Sequence, residues 1–164
     1  MKISYEKKIE MASWFIMSFL LLKYVKRNRL REAEVIFFSK QFLTWIFGLL
    51  VVEKRLISYP SRLFFKNATK TSFTFEYFIY PALCVLFNLY YPEKRSSLVK
   101  LVYYAAYSSV ITSLELIAVK YTRLITYKKW KWYWTFSTLW FTFYLSHLNH
   151  KWFFKESYQK PSSY

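Results

Sequence analysis

The sequence predicts an all-α fold, a polytopic transmembrane helix bundle of about five spans, and three observations lead there. The 164 residues include 17 Phe, 16 Tyr and 7 Trp within a hydrophobic fraction of 55%. A soluble chain of this length cannot enclose so much aromatic surface, because the interior shrinks faster than the surface as chains shorten. The 25 Lys and Arg fall between apolar blocks rather than through them. Blocks 11–22, 42–52, 77–92, 101–114 and 132–149 contain no formal charge. The longest approach the roughly 20 residues that a helix needs to cross a hydrocarbon core.

Extended to their natural ends, the blocks give spans at 10–25, 35–52, 73–91, 98–119 and 130–148, one membrane domain with a short basic tail at 150–164. The first span follows a leader with Lys2, Lys7 and Lys8, as a secretory signal would. No small-residue cleavage site follows it. The segment Lys23-Tyr24-Val25-Lys26-Arg27 comes next instead, which reads as a retained signal anchor. The second span contains Lys40 and Gln41. Lys40 shares a helical face with Thr44 and Gly48, and its amine is expected to snorkel to the nearby surface, with a counter-ion role for a midplane carboxylate as the lesser alternative. Pro81 lies inside the third span and, lacking an N–H, should kink it. Tyr90 and Tyr91 close that span, while Trp130, Trp132 and Trp134 open the fifth, as interfacial aromatics do. The modest mean hydropathy of +0.07 reflects a scale that penalises Tyr and Trp.

Ala105, Ser109 and Ser113 recur every four residues in the fourth span, with Ser108 and Thr112 beside them. Small residues at this spacing let membrane helices approach closely. This face is the expected helix-packing surface, and the fourth span the expected centre of the bundle. In the connection between spans two and three, Arg62, Lys66 and Lys70 recur every four residues beside Leu63, Phe64 and Phe65. With Pro60 suited to a first helical position, this pattern fits an interfacial amphipathic helix whose bases contact anionic lipid. The segments Arg55-Leu56-Ile57-Ser58-Tyr59 and Arg123-Leu124-Ile125-Thr126-Tyr127 echo each other, which suggests a parallel two-helix repeat.

A formal charge of +16 carried in loops argues against a nucleic-acid stripe, so nucleic acid is not an expected partner. One Gly leaves no phosphate loop or dinucleotide fingerprint, and the lone Cys84 leaves no disulfide. His147 and His150 stand one helical turn apart, but two ligands do not make a zinc site. No nucleophile elbow accompanies the serines. No cofactor, metal or catalytic constellation is therefore expected. Ionisable groups inside spans are the remaining candidates for function. Glu53 ends the second span, Glu76 lies one turn into the third, and Glu115 lies a turn from the end of the fourth. With five spans these three carboxylates approach one face. They could hold a cation or relay protons with Arg55 or Arg123 as counter-charge, or simply pair with those bases and fix helix register.

Several stretches are distinctive: Lys40-Gln41-Phe42-Leu43-Thr44-Trp45, Gly48-Leu49-Leu50-Val51-Val52-Glu53, Tyr59-Pro60, and Lys70-Thr71-Ser72-Phe73-Thr74-Phe75-Glu76-Tyr77-Phe78. Tyr80-Pro81, Asn88-Leu89-Tyr90-Tyr91-Pro92-Glu93-Lys94 and Trp132-Tyr133-Trp134 extend the series. Together they resemble a family of small multi-pass membrane proteins of spore-forming Firmicutes that has no established activity. The resemblance implies a bacterial cytoplasmic membrane protein and transfers no catalytic residue.

The function expected from sequence is a non-catalytic envelope scaffold or subunit that meets the bilayer and a membrane-protein partner or a second copy of itself. The alternatives are an ion or proton pathway through the carboxylates, and a protein that binds or modifies anionic lipid through Arg62, Lys66 and Lys70.

Overall fold

The computed structural model describes residues 4–65 and 67–155, and these are predominantly helical. Helix α1 spans Tyr5–Tyr24, and a single 3-10 turn at Arg27–Arg29 leads into α2, Leu30–Glu53. A π-helical stretch at Thr74–Ile79 runs directly into α3, Tyr80–Leu89. Helix α4 is Ser97–Tyr121 and α5 is Trp132–Phe153. Two stretches, Arg27–Glu53 and Ser97–Tyr121, are long and apolar enough by mean hydropathy to cross a bilayer. Most of the basic tail at 150–164 lies outside the described residues.

Successive helices alternate in direction, because the connections gather at two ends. At one end the Tyr90 hydroxyl donates to the Tyr24 carbonyl, His150 Nε2 meets Glu32 at 2.6 Å, and Lys151 pairs with Glu93 at 3.0 Å. At the other end the Glu10 carboxylate accepts the Leu63 N–H at 2.7 Å and the Thr74 hydroxyl at 3.2 Å. That end also carries the antiparallel ribbon of β1 (Ile57–Ser58) and β2 (Thr126–Tyr127).

The echoed segments are the two strands of this ribbon. Ser58 pairs with Thr126, so the one position at which the echo differs lies on the local two-fold of the ribbon. The repeat is therefore a self-complementary antiparallel pairing and not a parallel helix repeat. Ile57, Tyr59, Leu124 and Ile125 close a small apolar cluster beneath it.

Helix α3, not α4, is the centre of the bundle. Ala82, Cys84, Val85 and Phe87 are fully enclosed, and the Phe87 ring meets those of Phe143, Tyr104 and Tyr103 at 4.6, 5.0 and 5.1 Å. Tyr104 turns toward Phe87, and this sets the rotation of α4. Its buried face is Tyr104, Ser108, Ile111, Thr112 and Glu115, whereas Ser109 and Ser113 are exposed and Ala105 is half-buried. The packing face expected at Ala105, Ser109 and Ser113 is thus displaced by one residue, about 100° around the helix.

The amphipathic helix expected in the connection between α2 and α3, with Pro60 at its start, does not form among the described residues. The segment is a run of bends and turns. Phe65 takes a left-handed φ of 50°, and Arg62 Nη1 donates to the carbonyls of Tyr59 and Lys70 at 2.9 and 3.2 Å. A guanidinium that gathers carbonyls from residues eleven apart holds a folded loop, which a helix cannot accommodate. Lys66 lies outside the described residues.

Pro81 does more than bend its helix. The backbone N–H of Tyr80 bonds to the Phe75 carbonyl, a five-residue step. The same step at residue 81 would satisfy the Glu76 carbonyl, but proline has no N–H to give. The Thr44 hydroxyl on α2 supplies the missing donor, reaching the Glu76 carbonyl at 2.6 Å. Thr44→Val is expected to lower stability by about 1–3 kcal/mol, the usual cost of a buried acceptor left unmade. Unfolding of the purified protein in detergent, compared with the parent, measures this.

Candidate functional site

The α2 face formed by Lys40, Thr44, Gly48 and Val51 borders a partly open cavity of about 100 Å³. Glu76 and Tyr80 border it from the third helix, Glu115 from α4, and Thr135 and Thr142 from α5. Ile57 and Tyr59 form its wall at the ribbon end. A space of this size suits a few waters or a small cation, and is well below the roughly 300–1,000 Å³ of pockets for drug-sized ligands.

The π-helical turn brings Glu76 into this cavity, and only 3% of the residue is exposed. Neither carboxylate oxygen makes a hydrogen bond of ordinary geometry, although Tyr59 and Thr71 stand beside it. The carboxyl group lies against Gly48, the single glycine of the chain, and a Cβ at that position would overlap it. What glycine provides here is room for that carboxyl, a matter of close approach and not of backbone conformation.

Glu115 is held quite differently. It accepts hydrogen bonds from the Tyr127 hydroxyl, the Thr135 hydroxyl at 2.9 Å and the Tyr80 hydroxyl at 3.1 Å. Trp130 Nε1 in turn donates to the Thr135 oxygen at 2.8 Å. Burial, together with the neighbouring carboxylates, pushes the hydroxyls of Tyr59 and Tyr127 above the usual phenol range. Both residues therefore stay protonated donors at any physiological pH.

Lys40 is completely buried, so the snorkelling expected of it does not occur. Its amine donates to the Thr142 hydroxyl at 2.6 Å and sits 4.8 Å from the centre of the Phe143 ring. Among the described residues it forms no ion pair with Glu76 or Glu115, although all three border one cavity. The physical reason is direction. Lys40, Thr44 and Gly48 form the inner face of α2, and the amine is enclosed by α5 before it can reach an interface.

The structure thus brings Glu76 and Glu115 together and leaves Glu53 out. Glu53 is exposed, and with Arg55, Arg62 and Lys70 it borders a separate cleft at the ribbon end. Arg123 is exposed, and its carbonyl accepts the Ser61 N–H at 3.0 Å. Neither Arg55 nor Arg123 faces the cavity carboxylates. Sequence reasoning overlooked Gly48, Tyr59 and Thr142 as site residues, and ranked a counter-ion role for Lys40 below snorkelling. The signal available was the chain's only glycine, two turns beyond a lysine on the same face of an apolar helix.

At the opposite end the two histidines are engaged in a polar network. His147 Nδ1 lies 3.2 Å from Asn88 Oδ1 and its Nε2 3.1 Å from Glu93, and His150 meets Glu32. The Cys84 thiol donates to the Ser146 hydroxyl at 3.0 Å, deep in α3. Among the described residues no three His, Cys, Asp or Glu side chains converge as a metal site would require.

No protein-family model, curated protein or solved structure matches this chain.

Proposed function

We propose that the chain is a five-span protein of the bacterial cytoplasmic membrane whose interior cavity binds and passes protons or small monovalent cations. The observation that carries this reading is Glu76, a buried carboxylate with no hydrogen bond of ordinary geometry, in a largely apolar cavity that Lys40 and Glu115 also border. Two carboxylates and one amine leave a single negative charge, which one proton or one monovalent cation balances. Burying an uncompensated charge costs several kcal/mol, so a proton or a monovalent cation taken up beside Glu76 relieves that cost.

The distribution of side chains supports the membrane setting. Phe15, Phe19 and Leu22 on α1, Leu98, Val102 and Leu114 on α4, and Phe141 on α5 are all exposed. Glu10, Lys40, Glu76, Asn88, Ser108, Thr142 and Ser146 are all buried. Water-soluble monomers seldom expose apolar patches beyond a few hundred Å², whereas a bilayer favours this inverted arrangement. The cavity follows α2 from Val51 to Lys40, about 16 Å at 1.5 Å per residue. That is half of a hydrocarbon core of roughly 30 Å, which makes the cavity an access path from the ribbon end to mid-membrane. The sequence alone favours a scaffold or subunit; the unpaired carboxylate favours a pathway.

The test is flux into proteoliposomes of the purified parent, with a pH-sensitive dye for protons and labelled sodium or potassium for cations. No flux of any of the three sinks the proposal. The span count is tested separately in a Cys84→Ala background with single cysteines at Ser61 and Ser97. An impermeant maleimide added to intact cells is expected to label one site and not the other, both becoming reactive after permeabilisation. Labelling of both in intact cells excludes the five-span arrangement.

A further inference from the structure

A second cavity lies at the ribbon end, outside the carboxylate site. It measures about 530 Å³, and its polar wall is Glu53, Arg55, Ser58, Arg62, Lys70 and Lys128. We propose that this cleft is a binding site for a phosphate-bearing anion, either the headgroup of an anionic phospholipid or free phosphate. The proposal stands whether or not the cavity around Glu76 conducts.

Convergence distinguishes the cleft from an ordinary solvated basic loop. The four bases come from three separate segments, and each is tied in place by the backbone around it. Arg55 follows α2 with a left-handed φ of 53°, the position after a helix that glycine usually takes. A non-glycine residue there stores strain, yet the side chain it retains is a guanidinium at the cleft wall. Lys128 is set beside it by its own N–H, which donates to the Leu56 carbonyl at 2.9 Å. Arg62 and Lys70, eight residues apart, are drawn together because Arg62 Nη1 bonds to the Lys70 carbonyl.

Charge favours an anion decisively. The opposing negative terms are Glu53 and the carboxyl end of α2, the latter worth about half a charge. Arg55, Lys70 and Lys128 alone outweigh these by more than one charge, which favours an anion such as phosphate. The size fits as well, since clefts that enclose a small organic ligand measure roughly 300–1,000 Å³. The exposed rings of Phe64, Phe65, Trp132 and Trp134 stand at this same end. Such aromatics settle at headgroup depth, so a lipid phosphate is available at the height of the cleft.

The experiment uses the full chain in a neutral detergent and titrates it with fluorescent phosphatidylglycerol. Saturable binding that excess phosphatidylcholine does not displace is expected. Arg55→Gly with Lys128→Gln should weaken it about thirtyfold, two bases at their usual juxtamembrane worth. Glycine suits the left-handed position, so this pair removes charge without opposing the fold. Lys120→Gln with Arg123→Gln removes the same charge at the same end but outside the cleft, and should leave affinity within about threefold. Displacement by millimolar inorganic phosphate assigns the site to free phosphate, and its failure to displace assigns the lipid headgroup. Equal displacement by phosphatidylcholine, or equal weakening by the two double variants, overturns the proposal.

Discussion

Glu76→Gln is expected to abolish flux while leaving the protein as stable as the parent or more so. The carboxylate is buried and its oxygens accept no hydrogen bond of ordinary geometry. Tyr59 and Thr71 stand beside it without such bonds, so they offset only a small part of its desolvation. Glutamine keeps the shape against Gly48 and removes the charge. Lys40 and Glu115 then balance, and the cavity no longer draws a cation. Glu115→Gln has the opposite signature. The Glu115 carboxylate accepts three hydroxyl donors, and an amide nitrogen cannot accept. That variant should lose about 1–3 kcal/mol of stability, the cost of buried donors left unmade. Paired measurements of flux and unfolding on the two variants separate the roles. Flux unchanged in Glu76→Gln removes Glu76 from the pathway. Equal destabilisation by both removes the claim that Glu76 is unpartnered.

The uncharged blocks at 101–114 and 132–149 translate directly into α4 and α5, because a helix satisfies the backbone of such a run within the run itself. The loop between α2 and α3 misleads for an identifiable reason. Bases at 62, 66 and 70 have the four-residue period of a helix face, but the Arg62 bonds to distant carbonyls depend on a fold that no period reveals. Rotation of helices was likewise hidden. Glu53 and Gly48 are five residues apart, so Glu53 points about 140° away from the cavity face. Depth along the helix placed Glu53 with the other two carboxylates, and azimuth removed it. Lys40 failed the same way in reverse. Hydropathy assigns a lysine near a helix end to the surface, and only the facing Glu76 and Thr142 show that its face turns inward.

The lone glycine supplies the sharpest test of whether the position of the Glu76 carboxylate matters, and not merely its presence. Gly48→Ala has two opposing effects. Alanine improves the helix by about 1 kcal/mol over glycine, while the new methyl occupies space now held by the Glu76 carboxyl. What meets the methyl is the far end of a flexible side chain and not backbone, so the carboxyl is displaced at modest cost. Stability should therefore change by less than about 1 kcal/mol, with the propensity gain offsetting the displacement. Flux, by contrast, should fall steeply, because the carboxylate leaves its cradle beside Tyr59. Aspartate at 76 is shorter by one methylene and withdraws from the methyl, so Gly48→Ala with Glu76→Asp should recover part of the flux lost in Gly48→Ala alone. A coupling of that sign between two residues in direct contact is what a double-mutant cycle detects, commonly 0.5–3 kcal/mol in size. Full flux in Gly48→Ala would mean that the close approach of α2 to Glu76 serves packing alone, and the cavity would lose its claim to a defined ion position.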